Sequence, residues 1–436
     1  MRKSRSLLSD GIWLSGLQIF AALGQLAGIR LFTGLLSPSI FGQFSLLMGL
    51  VTLVCAAIVN PTMQALLRYY PEYALQGQGA RVKAAGARQL IKLMCWLLPF
   101  GIVGIVVSQA YGWSSEREMF LLIGLVVVEI LRMQSMAVLN AIKAHRLYGV
   151  WAVAEAWGRP LVAWGVMALL GINLTCILAG YLLVSLSTWF VMQRCMPSEK
   201  NVPLPLAQDT ALGIRFWRYT LPLLPLGLLG WASGMADRFM IGVMLSPADV
   251  GLYVAMYGLA SRPILMFGNL VENLMRPPYQ SALSQGDGVR GNAYLRQWML
   301  LVISGSLFAL VLACIGHHWL AGLMLGESYR QVSDLLPWLV AGYGLLILSH
   351  VANRVCYANE ATRSIFLIET TGAVLAIVLG FILIKWGGLR GAAQAMLLYY
   401  GAQLVISMLF ARPWLPKGIF SGSAKSVHKI FSLFVS

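Results

Sequence analysis

Nine charged side chains lie inside otherwise apolar stretches of this sequence, where a charge needs a structural or functional explanation. They are Arg30, Arg132, Arg159, Arg238, Arg262, Glu129, Glu155, Asp237 and Glu369. A charge at the centre of a membrane costs roughly 2.5–3.5 kcal/mol on insertion scales, so such residues usually face a polar path or pair with one another. The five arginines are candidates for a cationic lining that binds an anion, because a guanidinium stays charged and donates paired hydrogen bonds to phosphate oxygens.

Two of the arginines have an acidic neighbour at helical spacing. Glu129 and Arg132 are three residues apart, and Glu155 and Arg159 are four apart. Each pair lies on one helical face and can form an ion pair. Two interpretations stay open, a neutralised structural link between helices and a lining for an anion.

Arg30 and Arg262 have no acidic residue at helical spacing, which makes them better candidates for an anion. Asp237 and Arg238 are adjacent, so their side chains point in different directions. The transmembrane spans predicted from the apolar runs determine the depth of each arginine in the membrane. Arg30 is expected in the outer half of its helix, Arg159 near the midplane and Arg262 slightly toward the cytoplasm.

The four carboxylates are candidate sites for a coupling ion, either a proton or sodium: Glu129, Glu155, Asp237 and Glu369. Glu369 precedes two threonines, and a carboxyl group hydrogen-bonded to a neighbour explains it equally well.

The composition defines the elements that must hold these charges. Of 436 residues, 58% are hydrophobic and 11% are charged, against about 25% charged in a soluble protein. Apolar runs of about 20 residues indicate membrane helices. Barrel strands would alternate at period two, whereas these runs are continuous. The sequence therefore predicts an all-α polytopic membrane protein.

Twelve transmembrane spans are expected, in two sets of six. The first set is 14–36, 40–65, 90–110, 120–139, 149–170 and 175–191, and the second is 221–245, 250–270, 299–317, 336–357, 365–384 and 392–410. A polar stretch over 193–218 separates the sets. We expect two pseudo-symmetric six-helix bundles that flank one central cavity, over residues 1–200 and 201–436, the second with a cytoplasmic C-terminal tail.

The basic residues set the orientation, because cytoplasmic loops are rich in lysine and arginine. The formal net charge is +16, from 32 basic and 16 acidic residues. With a cytoplasmic N-terminus, the outer loops hold only Arg117, Arg330, Lys385 and Arg390. Both termini are therefore predicted to be cytoplasmic. The basic residues are spread thinly and are not interleaved with exposed aromatics, which argues against nucleic-acid binding.

The chain also repeats itself. The segment LSPSIFGQF at 36–44 matches LSPADVGLY at 245–253 without gaps, at an offset of 245 − 36 = 209 residues. Each predicted half has an even number of spans, so the halves share one orientation. This is a parallel repeat about an axis along the membrane normal, which is a recurrent transporter architecture.

The repeated element carries a family resemblance. RLF at 30–32 with LSPSIFGQF at 36–44 resembles the first-to-second helix hairpin of polysaccharide-type lipid flippases, and DRFMIG at 237–242 with PADVGLY at 247–253 resembles their seventh-to-eighth hairpin. These proteins are a branch of the multidrug/oligosaccharidyl-lipid/polysaccharide exporter superfamily. The resemblance implies translocation of a polyprenyl-pyrophosphate-linked oligosaccharide, such as an O-antigen, capsule or exopolysaccharide unit, across the bacterial inner membrane. It also implies contact with membrane lipids and with polysaccharide polymerase machinery.

Other classes of function find less support in the sequence. No H-E-x-x-H, G-x-S-x-G or P-loop pattern is present, and none of the six cysteines forms a C-x-x-C pair, so we predict no enzyme, cofactor or metal site. The first alternative is a cation-coupled multidrug exporter of the same superfamily, whose cavity should hold fewer arginines. The second is a membrane-embedded polysaccharide polymerase or acyltransferase, although the outer loops are short and His350 alone is a weak catalytic centre.

The orientation leads to a test with reporter fusions. Fusions after Gly112, Asn173 and Gly326 should report the periplasm. Those after Gly79, Ser198 and Gly422 should report the cytoplasm, because the basic loops stay inside. A periplasmic phosphatase and a cytoplasmic fluorescent reporter at each site make the measurement. Reversal at any two sites would contradict the twelve-span topology.

Overall fold

The described residues, 2–112, 115–195 and 206–414 of a computed structural model, are helical apart from short connections. In chain order the α-helices are α1 Arg2–Leu35, α2 Pro38–Val54, α3 Asn60–Ala74, α4 Gly79–Ala110, α5 Glu116–Ala141, α6 His145–Leu170, α7 Leu174–Cys195, α8 Leu206–Thr220, α9 Leu223–Met244, α10 Pro247–Ser284, α11 Gly288–Met324, α12 Leu336–Ala358 and α13 Thr362–Ala411. A π-helix spans Cys55–Val59, and 3₁₀ turns span Glu327–Leu335 and Arg412–Trp414. The predicted all-α fold class is confirmed.

Each predicted span overlaps a helical segment, although α1, α4, α10 and α11 extend more than ten residues beyond the predicted bounds. Among the described residues, 8 helical segments are long and apolar enough to cross a membrane, so the chain is a multi-pass membrane protein. Twelve crossings would also need α4, α6 and α9 to span the bilayer and α13 to cross twice. The count of twelve stays a prediction.

Two of the longer helical segments are interrupted at defined positions. The second predicted span is divided by the π-helix Cys55–Val59, which ends two residues before Pro61. Pro61 cannot donate an i→i−4 hydrogen bond, and a π-turn is one way to absorb the missing bond. The long helix α13 contains Gly388 at φ +56°, a left-handed backbone that favours glycine. Gly388 separates the stretches that correspond to the last two predicted spans.

One helix lies where the sequence suggested only a polar linker. Helix α8 covers the second part of the 193–218 stretch and buries Leu212, Phe216 and Thr220 on one face. Ile214, Arg215 and Arg218 are exposed on the others. The i, i+4, i+8 spacing of the buried residues makes this an amphipathic surface helix, a pattern hidden by the charged residues around it.

Contacts divide the chain into two compact units. Unit 1 comprises Met1–Ala255 with Met324–Arg330, and unit 2 comprises Met256–Leu323 with Gln331–Ser436. The predicted halves, 1–200 and 201–436, describe a sequence repeat and stay a prediction. Their boundary and the predicted cytoplasmic tail after Trp414 lie outside the described residues, as do the fusion sites Ser198 and Gly422.

Inside unit 1 the two copies of the repeated segment meet each other. A Cβ on Gly42 would overlap the carbonyl oxygen of Pro247, and a Cβ on Gly251 would overlap the carbonyl oxygen of Pro38. Adding 209 to 38 and 42 gives 247 and 251, so equivalent residues of the two copies make the same contact in both directions. Such reciprocity is the signature of a two-fold axis. The backbones of α2 and α10 can approach this closely only because both positions are glycine.

The loop after α11 closes on the same end of unit 1. The amide of Gly326 donates to the hydroxyl of Thr33 over 3.1 Å, and the Tyr329 hydroxyl donates to the Leu36 carbonyl over 3.0 Å. Tyr329 is fully buried and packs edge-on against Phe41. The segments 36–44 and 245–253 and the loop after α11 were all predicted to lie on the outer side of the membrane. Their contact agrees with the predicted alternation of inner and outer loops.

The close contact at Gly42 and Gly251 predicts that alanine at either position destabilises the fold. Gly42→Ala and Gly251→Ala should each lower the free energy of unfolding by about 1–3 kcal/mol, because the added methyl group meets a backbone carbonyl that cannot rotate away. Equilibrium unfolding in mixed detergent micelles measures the change. Gly34→Ala is the matched control, since its Cβ would have nothing within 4 Å; it should be neutral or slightly stabilising. Equal behaviour of the three variants would contradict the close approach.

Candidate functional site

Four of the predicted charges form one buried cluster in unit 1. Arg132 on α5 donates from Nη1 to both carboxylate oxygens of Glu155 on α6, over 2.8 and 2.7 Å. Its Nε donates to Glu129 over 2.9 Å. Glu129 and Glu155 are only 4% and 9% exposed. The predicted pairing of Glu129 with Arg132 is present, and the helical spacing of three residues brings it about.

Arg159 completes the cluster from α6. Its guanidinium forms an ion pair with Glu129 and also donates to the Ser185 hydroxyl on α7 over 3.2 Å. The Ser185 hydroxyl in turn donates to Glu129 over 3.1 Å. The predicted partner, Glu155, lies at the limit of ion-pair distance, 4.0 Å from Arg159. Glu129 is therefore its main partner, and this contact is between helices rather than along one.

Arg159 is held less completely than Arg132. Its Nε is buried and has no hydrogen-bond acceptor among the described residues. The guanidinium carbon lies 5.7 Å from the centre of the Tyr181 ring, which is within cation–π distance. A buried donor without an acceptor is costly unless water or a ligand satisfies it. The Arg159 side chain is 19% exposed and that of Arg132 is 12% exposed, so Arg159 is the arginine of the cluster that is more open to a ligand.

The cluster is electrically balanced, with two arginines and two glutamates. Ion pairing in a medium of low dielectric constant offsets the desolvation of each charge, and the hydrogen bonds are needed to make the geometry favourable. Arg132 thus acts as a structural link between α5 and α6. The prediction that it lines an anion site is untested, and its complete pairing favours the structural interpretation.

Arg238 and Asp237 are both buried in the second half of α9, 6% and 9% exposed. The Tyr253 hydroxyl donates to one Asp237 oxygen over 2.8 Å, and the Arg238 amide donates to the other over 2.8 Å. The Arg238 guanidinium contacts the sulfur atom of Met235. Asp237 therefore ties α9 to α10, which accounts for its burial without a coupling ion.

Of the other predicted residues, Arg30 lies in unit 1, and Arg262 and Glu369 lie in unit 2. Arg30 and Arg262 are exposed on α1 and α10, and Glu369 on α13 is half-buried. The hydroxyls of Thr370 and Thr371 donate to backbone carbonyls one turn earlier, each over 2.7 Å, so they are not the partners of Glu369. The roles of these three residues in anion or ion binding stay predictions.

A second ion cluster in unit 2 escaped the sequence analysis. Glu272 accepts from Arg354 over 2.6 Å and from Arg276 over 3.4 Å. Glu272 and Arg276 are four residues apart on α10, a signal that the sequence contained. Arg354 comes from α12, and no sequence pattern joins it to the pair. In unit 1, Ser185 and Tyr181 were missed for the same reason, since their partners lie on other helices.

The fold itself has well-defined structural relatives. The chain is similar to lipid II flippase MurJ in its inward closed conformation, with a TM-score of 0.75 and 14% identity over 94% of this chain and 89% of that one. It is also similar to an inward-facing MATE-family multidrug resistance transporter of the MOP superfamily, with a TM-score of 0.61 and 14% identity over 95% of this chain and 100% of the other. A third relative is a mutant of the Vibrio cholerae MATE transporter VcmN, at 0.57 and 15% identity, covering 95% and 98%.

These similarities show the fold, which the chain shares with the lipid II flippase and MATE transporter structures. No protein-family model matches the sequence, and no curated protein matches it either. At 13–15% identity, the likeness concerns the fold alone. Substrate and mechanism must therefore be argued from this chain's own residues.

The cluster predicts a large loss of stability from one substitution. Arg132→Met should lower the free energy of unfolding by about 3–5 kcal/mol, because it leaves Glu155 buried without its main counter-charge. The double variant Arg132→Met with Glu155→Gln should recover most of the loss, since it restores neutrality. Equilibrium unfolding in mixed micelles measures both changes.

Arg390 supplies the matched control for this substitution. It forms an equally short ion pair with Asp334, 2.6 Å, but its side chain is 73% exposed. Arg390→Met should change stability by less than about 1 kcal/mol, because exposed pairs contribute little. Similar losses for Arg132→Met and Arg390→Met would show that burial does not determine the role of the cluster.

Proposed function

We propose that the protein is a flippase that moves a polyprenyl-pyrophosphate-linked oligosaccharide from the cytoplasmic to the periplasmic leaflet of the inner membrane by alternating access. The observation that carries the proposal is the similarity to a lipid II flippase along 94% of the chain. The resemblance of the repeated hairpins to polysaccharide-type flippases supports the same class. The substrate class follows from that resemblance and from the arginines inside the spans.

Arg159 is the residue that we assign to the pyrophosphate. It lies in the middle of α6 and its buried Nε has no acceptor among the described residues. A pyrophosphate carries at least two negative charges and cannot cross hydrocarbon unaided. A guanidinium at mid-depth offsets part of that charge and forms directed hydrogen bonds to the phosphate oxygens. Arg30, also in unit 1 and exposed on α1, is a second candidate nearer the outer end.

Glu129 gives this site a way to couple to a proton. In the structure its charge neutralises Arg159. Protonation would cancel that charge and leave Arg159 in excess, so the affinity for an anion would rise. Deprotonation would restore the ion pair and favour release. Glu155 is paired with Arg132 in the structure, so protonation of Glu129 would leave that ion pair in place.

The reciprocal glycine contact provides the moving part. Alternating access requires the outer ends of the repeated hairpins to separate, and Gly42 and Gly251 are where those ends touch. A Cβ on either glycine would meet backbone atoms of the other segment. Separation therefore breaks close van der Waals contacts without exposing a charge, a small barrier compared with opening an ion-pair network.

Complementation of a strain that lacks this gene tests the proposal. Arg159→Ala should lower the surface glycan about tenfold, because a charge-assisted hydrogen bond is lost. Arg159→Lys should retain part of the activity, since it keeps the charge and loses only the fork. Arg262→Ala and Arg262→Lys test the second predicted arginine in the same way. Immunoblots of the membrane fraction exclude loss of protein. Full glycan with both alanine variants would refute the assignment.

A multidrug exporter of the same superfamily is the second candidate, favoured by the MATE-family folds and by the neutral charge of the cluster. Efflux of a cationic dye from the same strain discriminates the two. A flippase should restore glycan and leave dye efflux unchanged. An exporter should do the reverse, and Glu129→Gln should then abolish efflux, because the coupling carboxylate is gone.

A further inference from the structure

The loop that follows α11 belongs to unit 1 by its contacts, although the chain on both sides of it belongs to unit 2. The loop is Met324–Arg330, and the flanking parts of unit 2 are Met256–Leu323 and Gln331–Ser436. A chain spans at most about 3.3–3.6 Å per residue. So short a segment cannot stay bound to unit 1 while its two ends follow unit 2 through a large relative movement.

Two buried hydrogen bonds and one aromatic ring hold this loop on the first repeated hairpin, which α1 and α2 form. The Gly326 amide donates to the Thr33 hydroxyl over 3.1 Å, and the Tyr329 hydroxyl donates to the Leu36 carbonyl over 3.0 Å. Tyr329 is fully buried, and its ring centre lies 6.0 Å from that of Phe41. These contacts are directed and uncharged, so they can be broken and remade without burying an unpaired charge.

Gly326 brings the loop backbone directly onto the end of α1. A Cβ at this position would overlap the Thr33 carbonyl oxygen, so only glycine allows the approach. The repeated segment 36–44 begins three residues after Thr33 and contains Gly42, whose close contact is with the second hairpin. The anchors of the loop therefore lie on the same stretch of chain as the contact that closes the outer end of unit 1.

We propose that Met324–Arg330 is a latch that holds the outer end of unit 1 closed and releases when that end opens. The proposal rests on the proposed alternating access, in which Gly42 and Gly251 separate. The second hairpin continues through α10 into unit 2, as do both ends of the loop. While Gly326 and Tyr329 stay bound to the first hairpin, the loop therefore joins the two hairpins and opposes their separation.

Hydrogen–deuterium exchange of the full-length protein in mixed micelles tests the latch. The exchange rate of a protected amide reports how often its segment opens. Tyr329→Phe keeps the ring and removes the hydrogen bond to Leu36, and Thr33→Val removes the acceptor of the Gly326 amide. Each variant should raise the exchange rate in 245–253 about fivefold, because one net hydrogen bond is lost and the outer end opens more often.

Two matched variants separate the latch from a local effect. Thr33→Ser keeps the hydroxyl, and Ser328→Ala changes an exposed residue of the same loop, so both should exchange like the unaltered protein. The decisive readout is 245–253, since the hydrogen bonds of the latch go to the first hairpin and not to the second. Equal rates there in Tyr329→Phe, Thr33→Val and Ser328→Ala would overturn the proposal. An equal rise in α5 would also overturn it, because it would show a general loss of stability.

Complementation of the strain that lacks this gene keeps this test separate from the proposed function. Faster exchange in Tyr329→Phe supports the latch even where the unaltered protein restores no surface glycan, and only the flippase assignment then fails. Unchanged exchange beside restored glycan refutes the latch and leaves the flippase assignment in place.

Discussion

The ion-pair network of Glu129, Arg132, Glu155 and Arg159 is the constraint on which the rest of unit 1 depends. Both glutamates are buried and the arginine side chains are only 12% and 19% exposed, so water screens these charges weakly and each one needs its partner at hydrogen-bond distance. The Ser185 hydroxyl fixes the third helix, α7, to the same centre. The spacing and rotation of α5, α6 and α7 are thereby set by polar geometry, whereas apolar contacts in lipid specify register weakly.

The glycine contact imposes a different kind of constraint. At Gly42 and Gly251 the structure depends on the absence of side chains, so specificity comes from shape and not from directed bonds. The repeated segment occurs at 36–44 and at 245–253, and the two copies contact each other. A larger side chain at Gly42 therefore meets the segment of Gly251, and a larger side chain at Gly251 meets the segment of Gly42. Unit 1 therefore has a centre held by ion pairs, and an outer end held by the close backbone contact of the two glycines and by the hydrogen bonds of Gly326 and Tyr329.

The sequence predicted the helices well because the membrane leaves few choices. Apolar runs of the required length must be helical in a membrane, so 120–139 and 175–191 fall inside α5 and α7. The Glu129–Arg132 pair was equally predictable, since both residues lie on one helix. Helix α8 was missed because its apolar face is only three residues wide. The contact of Arg159 with Glu129 was missed because it joins two helices, and only tertiary structure decides whether an interhelical partner lies closer than one a turn away.

The arginines differ in whether a substitution would change the stability of the fold, the binding of a ligand or both. Arg132 makes hydrogen bonds to two carboxylates, so its removal reports stability. Arg30 is exposed on α1, so its removal reports chiefly on ligands. Arg159 combines both properties, because its ion pair with Glu129 is structural while its Nε has no acceptor among the described residues. A defect in Arg159→Ala alone would therefore be ambiguous. The Glu129→Gln and Arg159→Ala variants must be compared singly and together, since only the coupling energy of the pair separates a lost scaffold contact from a lost anion contact.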